Sequence, residues 1–265
     1  MSQGIVIGQY IPGKSFIHRL DPRLKVSATV LFLITVFLAN NWLSYAVLLA
    51  FTILAIFLSE VSLRFFANGL KPLLLLIILT VFLQIFFTQG EILLFNWGPI
   101  QIYQEGLINA AFIFLRFMLI IFMSTLLTLT TMPLEITDAI EYLLRPLTRI
   151  KVPVYAIALM LSIALRFVPT LMEEVQKIMN AQRARGMDFS EGSFIQRLKN
   201  VVPLLIPLFV SAFNRADDLA IAMESRGYQG GDHRTKYRQL NWMKQDTFVL
   251  FIYLLLGGLI LYLRS

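Results

Sequence analysis

From Leu73 to Phe87 the chain reads LLLLIILTVFLQIFF, fifteen consecutive residues without a charge. That run sits inside an apolar span at about 70–88, and similar spans occur at 26–39, 42–58, about 107–131 and about 247–263. Crossing a hydrocarbon core of roughly 30 Å takes about 20 apolar residues in a helix, because every backbone polar group must be satisfied within the segment. The run 26–39 is short for that purpose, but Lys25 has a stem long enough to snorkel toward the interface. Asn40 and Asn41 mark a tight turn between the first two spans. Composition agrees: 57% of the 265 residues are hydrophobic and 15% are charged, against about 25% charged in soluble domains. The expected fold is all-α, a polytopic membrane protein with about five transmembrane helices.

The location of charge divides the chain. The loop 89–106 carries Glu91 and Glu105 but neither Lys nor Arg, and its Trp97 and Tyr103 suit a membrane interface. The stretch 132–246, by contrast, holds 15 of the 23 basic residues. Two of its segments, 152–171 and 201–213, are apolar enough to suggest a hairpin of spans. Such a hairpin would export Lys177, Arg183, Arg185, Arg197 and Lys199, against the positive-inside tendency. The expected organisation is therefore an N-terminal cytoplasmic segment 1–25, a four-helix transmembrane region 26–131, a cytoplasmic or interfacial helical region 132–246 and a C-terminal transmembrane helix 247–265. The segment 153–170 is expected to dip into the bilayer. The first 20 residues contain no apolar core of signal-peptide length, so the first span is expected to act as its own insertion signal. Arg116, inside the fourth span, is expected to snorkel or pair within the bundle.

Several chemistries are disfavoured. The chain has no cysteine and two histidines, His18 and His233, and no metal-ligand spacing accompanies them. Near the N-terminus GQYIPGKS (Gly8 to Ser15) matches the phosphate-binding loop pattern letter for letter. Such a loop works when a buried strand delivers it and a helix N-terminus follows at once. Here only Ile5-Val6-Ile7 precedes it, Pro22 cuts short any following helix, and Pro12 removes one N–H from the nest. Nucleotide binding by this chain is therefore not expected. A secondary transporter would show inverted repeats and broken spans, which are not evident. Asp217, Asp218, Glu224 and Arg226 raise the alternative of a lipid-modifying enzyme. Adjacent Asp217 and Asp218 diverge on a helix, however, and pairing with Arg215 or bracing of a helix pair is the preferred reading. No catalytic residue is expected.

The helices of 132–246 carry apolar stripes. Ile136, Ala139, Ile140, Leu143, Leu144 and Leu147 recur at three- and four-residue steps, with Thr131 placed to cap the start. Leu171, Met172, Val175, Ile178 and Met179 form a second stripe, opposite Glu173, Glu174 and Lys177. Methionine-rich faces of this kind suit surfaces that repack against a partner. More specific is a repeated helix end. QRARG closes a helix beginning near Pro153 and ESRG closes one beginning near Phe194. In each, a small residue, an Arg and a Gly follow one another: Ala184-Arg185-Gly186 and Ser225-Arg226-Gly227, with Arg183 and Glu224 just before them. Gly at that position can adopt the left-handed conformation that stops a helix. The Arg offers a planar fork of donors to carboxylates or carbonyls. Two copies on consecutive helices suggest two similar sockets on a partner.

With YIPGKSFIHRLDPRLK at its start and the paired Arg motifs at 184–186 and 225–227, the chain resembles the transmembrane T component of energy-coupling factor (ECF) transporters, the cobalt-transport-Q-like family. The resemblance covers the whole chain. It implies a non-catalytic scaffold in the cell membrane of a prokaryote, its N-terminus and helical region cytoplasmic. The partners it implies are two ABC-type ATPases, which bind the ATP and Mg, and a small substrate-binding S component for vitamins or metal ions. It places Arg185 and Arg226 in grooves of the two ATPases. The helices over about 134–226 would be coupling helices facing the S component, with Ile140, Leu144, Met160, Met172 and Met179 as candidate contacts. No nucleic acid, metal or cofactor is expected on this chain.

Overall fold

The computed structural model describes residues 10–97, 100–187, 189, 193–228, 230 and 240–264. Gly8 and Gln9 of the phosphate-loop match, Ile5-Val6-Ile7 before it, and His233 lie outside the described residues. The chain divides into two compact units, Met1–Leu143 with Gln239–Ser265, and Leu144–Arg238.

The first unit opens with α1 (Phe16–Arg19), a single turn, and α2 (Pro22–Leu38). Asp21 starts α2 by accepting the Arg23 N–H at 2.8 Å, and Pro22 occupies the first helical position, where its missing N–H costs nothing. After the Asn40-Asn41 turn comes α3 (Trp42–Ser59), then α4 (Leu63–Leu70). A 3-10 turn at Lys71–Leu73 leads on into α5 (Leu74–Phe87), so that Leu63–Phe87 forms one long apolar segment. The loop expected at 89–106 contains a hairpin of β1 (Leu93–Trp97) and β2 (Ile100–Tyr103), antiparallel, with Asn96 opposite Gln101. Its alternating Ile, Phe, Trp and Tyr content favours strand over coil. α6 (Gln104–Thr130) and α7 (Pro133–Leu144) follow, and α10 closes the unit at Lys244–Arg264 after α8 (Val154–Ala184) and α9 (Phe194–Ser225) of the second.

The core of the first unit lies among α2, α3, α6 and α10, where Phe32, Val36, Tyr45, Leu48, Leu119 and Ile260 are almost wholly buried. Outward-facing positions are just as apolar: Phe57 is 81% exposed, Leu75 80% and Tyr262 79%. Apolar surface of this extent is stable only against lipid. Close helix contact is set by Gly106, where an added Cβ would stand 3.2 Å from the carbonyl oxygens of Gln84 and Ile85 at the end of α5. Arg116 pairs inside the bundle, its Nε and Nη2 donating to the Tyr45 hydroxyl at 3.2 and 3.0 Å.

Among the described residues, five helical segments are long and apolar enough to cross a membrane: α3, the α4–α5 segment, α6, α8 and α10. α8 is among them, although its sequence reads as lying at the membrane surface. Its first half is apolar and its second carries the charges. The expected first span falls in α2, whose 17 residues extend only about 26 Å at 1.5 Å each. Thr131 does not cap α7, because its buried hydroxyl has no hydrogen-bond partner among the described residues. Instead the Glu135 carboxylate accepts the Met132 N–H at 3.2 Å, reaching back from the first turn.

Candidate functional site

The two arginine-tipped helix ends belong to the second unit, and their local geometry is the same to the residue. At the end of α8, Gly186 has φ +85°. Its N–H donates to Arg183 O at 2.9 Å, and the Met187 N–H donates to Gln182 O at 3.1 Å. At the end of α9, Gly227 has φ +76°, its N–H donates to Glu224 O at 2.9 Å, and the Tyr228 N–H donates to Met223 O at 3.1 Å. These paired bonds, one across six residues and one nested within it, are the Schellman arrangement. It satisfies carbonyls that a bare helix end leaves open and turns the chain sharply away.

The arginine therefore stands at the last position before the turn in both helices. Ala184, Arg185, Gly186, Ser225, Arg226 and Gly227 are all exposed, as are Arg183 and Glu224. Neither the Arg185 nor the Arg226 guanidinium has a hydrogen-bond or ion-pair partner among the described residues. An added Cβ on Gly186 or Gly227 would meet nothing within 4 Å, so glycine serves the backbone angle here and not the space. Each tip is thus a fixed turn presenting one uncommitted planar cation to solvent.

The other expected positions are more scattered. Ile140 is half-buried on α7, and Leu144, at its end, is exposed. Met160 and Met172 on α8 are exposed and Met179 is half-buried. At 100° per residue Met172 and Met179 share a face, while Met160 points about 120° away. Asp217 and Asp218 do not pair with Arg215; both are exposed. The partner of Arg215 is Glu174 on α8, at 3.1 Å. Glu174 is accordingly turned toward α9, not onto the polar solvent face expected for it.

Of the phosphate-loop match, residues 10–15 are described. Ser15 caps only the four residues of α1, and Lys14 is exposed. The Ser15 hydroxyl is engaged with His18 Nδ1 at 2.7 Å, while His18 Nε2 lies 3.0 Å from Ile11 O. A carbonyl can only accept, so Nε2 carries the proton and Nδ1 accepts from Ser15. Burial lowers the His18 pKa from 6.5 and so favours this neutral form. Gly13 packs directly against the imidazole, where a Cβ would fall 2.6 Å from the ring.

Sequence reading passed over a polar hub in HRLDPRLK. The Asp21 carboxylate binds Arg23 through both oxygens, at 3.0 and 2.9 Å. The Arg23 Nη2 also donates to Leu240 O at 3.0 Å, and its guanidinium lies 4.4 Å over the Tyr142 ring. Lys25 Nζ donates to His18 O and Thr130 O at 3.1 and 3.0 Å, so it turns inward instead of snorkelling. The signal that could have found the hub is the Asp-Pro pair, a helix start that leaves the Asp carboxylate facing the Arg two positions on.

Long apolar helices with an exposed apolar exterior define a multi-pass membrane protein. The chain matches the model of a family described as cobalt transport protein over residues 13–237. It is 56% identical to the energy-coupling factor transporter transmembrane protein EcfT of Streptococcus equi subsp. equi (strain 4047) over 261 residues, 98% of this chain and 97% of that one. It is 51% identical to the EcfT of Bacillus subtilis (strain 168) over 265 residues, the full length of both. The EcfT of Lactococcus lactis subsp. cremoris (strain MG1363) is 55% identical over 248 residues, 94% of this chain and 93% of that one. The chain belongs to this family, the transmembrane components of energy-coupling factor transporters.

Proposed function

We propose that this chain is the coupling scaffold of an ATP-driven importer of vitamins or other micronutrients in a prokaryotic cell membrane. In this reading Arg185 and Arg226 each dock one of two ABC-type ATPase subunits. ATP and Mg bind those partners, and this chain catalyses nothing. The N-terminus and both tips face the cytoplasm. When the ATPases close, they move the tips, and α8 and α9 carry that displacement to a membrane-embedded S component that holds the substrate. Ile140, Leu144, Met160, Met172 and Met179 are the proposed contacts with it, and Met160 would serve a different face of α8 from Met172 and Met179.

The observation that carries this reading is the duplication of the tip. One capped helix ending in Arg is accounted for by the favourable helix dipole, worth about 0.3–1 kcal/mol. Two Schellman turns of the same form, each with a guanidinium that has no partner among the described residues, go beyond what the dipole requires. A guanidinium that meets a carboxylate in a partner groove makes two charge-assisted bonds in fixed geometry. The double variant Arg185→Glu with Arg226→Glu should therefore lose co-purification of the ATPases while still inserting in the membrane. Survival of the complex in that variant would refute the docking reading.

A further inference from the structure

Arg185 and Arg226 are 41 positions apart, and so are Glu174 and Arg215, the only ion pair between α8 and α9 among the described residues. Superposing the helices by that offset places Glu174 on Arg215, Lys177 on Asp218 and Arg183 on Glu224. All three matched pairs have opposite charge. A 3.1 Å bond from Arg215 Nη2 to Glu174 Oε2 joins the two helices at one of these matched positions.

From it, each helix runs 11 residues to its arginine. Eleven residues advance about 16 Å and turn through three full turns plus roughly 20°. Both tip arginines thus stand at equal reach from the contact and on the same helical faces that meet there. The pair is half-buried, with side chains 28% and 24% exposed, and the Arg215 guanidinium lies 5.5 Å from the Phe167 ring of α8. Its Nη1 is buried and has no hydrogen-bond partner, so the pair is held by one bond of a possible two. A slip of α9 by one turn would break the bond, move the tip by about 5.4 Å and leave a half-buried cation unmatched.

We propose that Glu174 and Arg215 are positioning residues that pin α8 and α9 in register, so that the two arginine tips reach equally from one pivot. The pair acts through the two helices. Its role in coupling rests on the docking reading above, but its effect on tip geometry does not.

The chain has no cysteine, so Asn180→Cys and Ile221→Cys, exposed and matched under the same offset, can carry a pair of spin labels in the full-length protein in lipid nanodiscs. With the pair intact, the label distance should form a single narrow distribution. Glu174→Gln or Arg215→Met should shift or split it by on the order of 5 Å, one helical turn. The swapped pair Glu174→Arg with Arg215→Glu should restore the single distance, which separates register from loss of folding. An unchanged distribution in both single variants would overturn the pivot, as would a swap that behaves like the singles. Co-purification with the ATPases is read in parallel on Arg185→Glu with Arg226→Glu. If that complex persists while the distances still respond to Glu174, the docking reading has failed and the pivot has not.

Discussion

Gly186 and Gly227 bear directly on how a helix end becomes a presented group. Both sit at positive φ with open space where a Cβ would go, so alanine at either position introduces backbone strain and no clash. Left-handed backbone costs an L-residue roughly 1–2 kcal/mol, and the Schellman bonds close only with that backbone. Gly186→Ala is therefore expected to speed hydrogen exchange at the amides of 186 and 187 by on the order of tenfold, since about 1.4 kcal/mol is a factor of ten. Gly227→Ala should do the same at 227 and 228, and asparagine should cost less at both. Equal exchange in wild type and alanine variants would show that the turn holds without the glycine. The arginines, their small neighbours and these glycines were legible in the sequence, because a cap is a local device read from consecutive residues. The partner of Arg215 was not, because Glu174 lies 41 positions away and the nearby Asp217 and Asp218 are the obvious but wrong choices.

Between elements, periodicity and hydropathy were enough to place the long helices but not to say how they touch. α3, α5, α6 and α10 fall close to the apolar spans because long runs of apolar residues leave few alternatives. The hairpin β1–β2, over residues 93–103, was missed because its aromatic sequence reads equally well as a loop at the membrane interface, although Gly98-Pro99 between its strands is a turn signal. Helix contact in a membrane depends on small residues that let backbones approach, and nothing in a hydropathy profile distinguishes a contact glycine from any other. Gly106 is such a contact: the atoms nearest its missing Cβ are backbone carbonyls of α5, which cannot rotate aside. Gly69 makes a tighter approach, 2.9 Å, but to the Thr125 hydroxyl, a side chain that can turn. Gly106→Val is therefore expected to cost about 1–3 kcal/mol through forced separation of α5 and α6, and Gly69→Ala less. Thermal unfolding of the purified full-length variants followed by size-exclusion chromatography checks the order; a Gly106→Val protein as stable as wild type would contradict it.

For the whole molecule, the decisive feature is that the first unit is made from both ends of the chain, with residues 144–238 interposed between its parts. Its closure is polar and sits at Asp246, 1% exposed. One carboxylate oxygen accepts the Asp21 N–H at 2.9 Å and the other accepts the Met243 N–H at 2.7 Å. The same carboxylate thus ties the start of α2 to the start of α10, across 225 positions of sequence. An aspartate can accept two N–H groups at once, whereas asparagine offers one oxygen and turns an NH2 toward the other donor. Alanine offers nothing. Each buried N–H left without a partner costs about 1–3 kcal/mol, so stability should fall in the order Asp246, Asp246→Asn, Asp246→Ala. The N-terminal segment should loosen with it, because Asp21 also holds Arg23, and Arg23 holds Leu240 and Tyr142. Limited proteolysis at Lys14 and Arg19, compared with the melting temperature of the same membranes, measures both effects. An Asp246→Asn protein that melts and resists cleavage like wild type would mean that α2 and α10 are held together by their apolar faces alone.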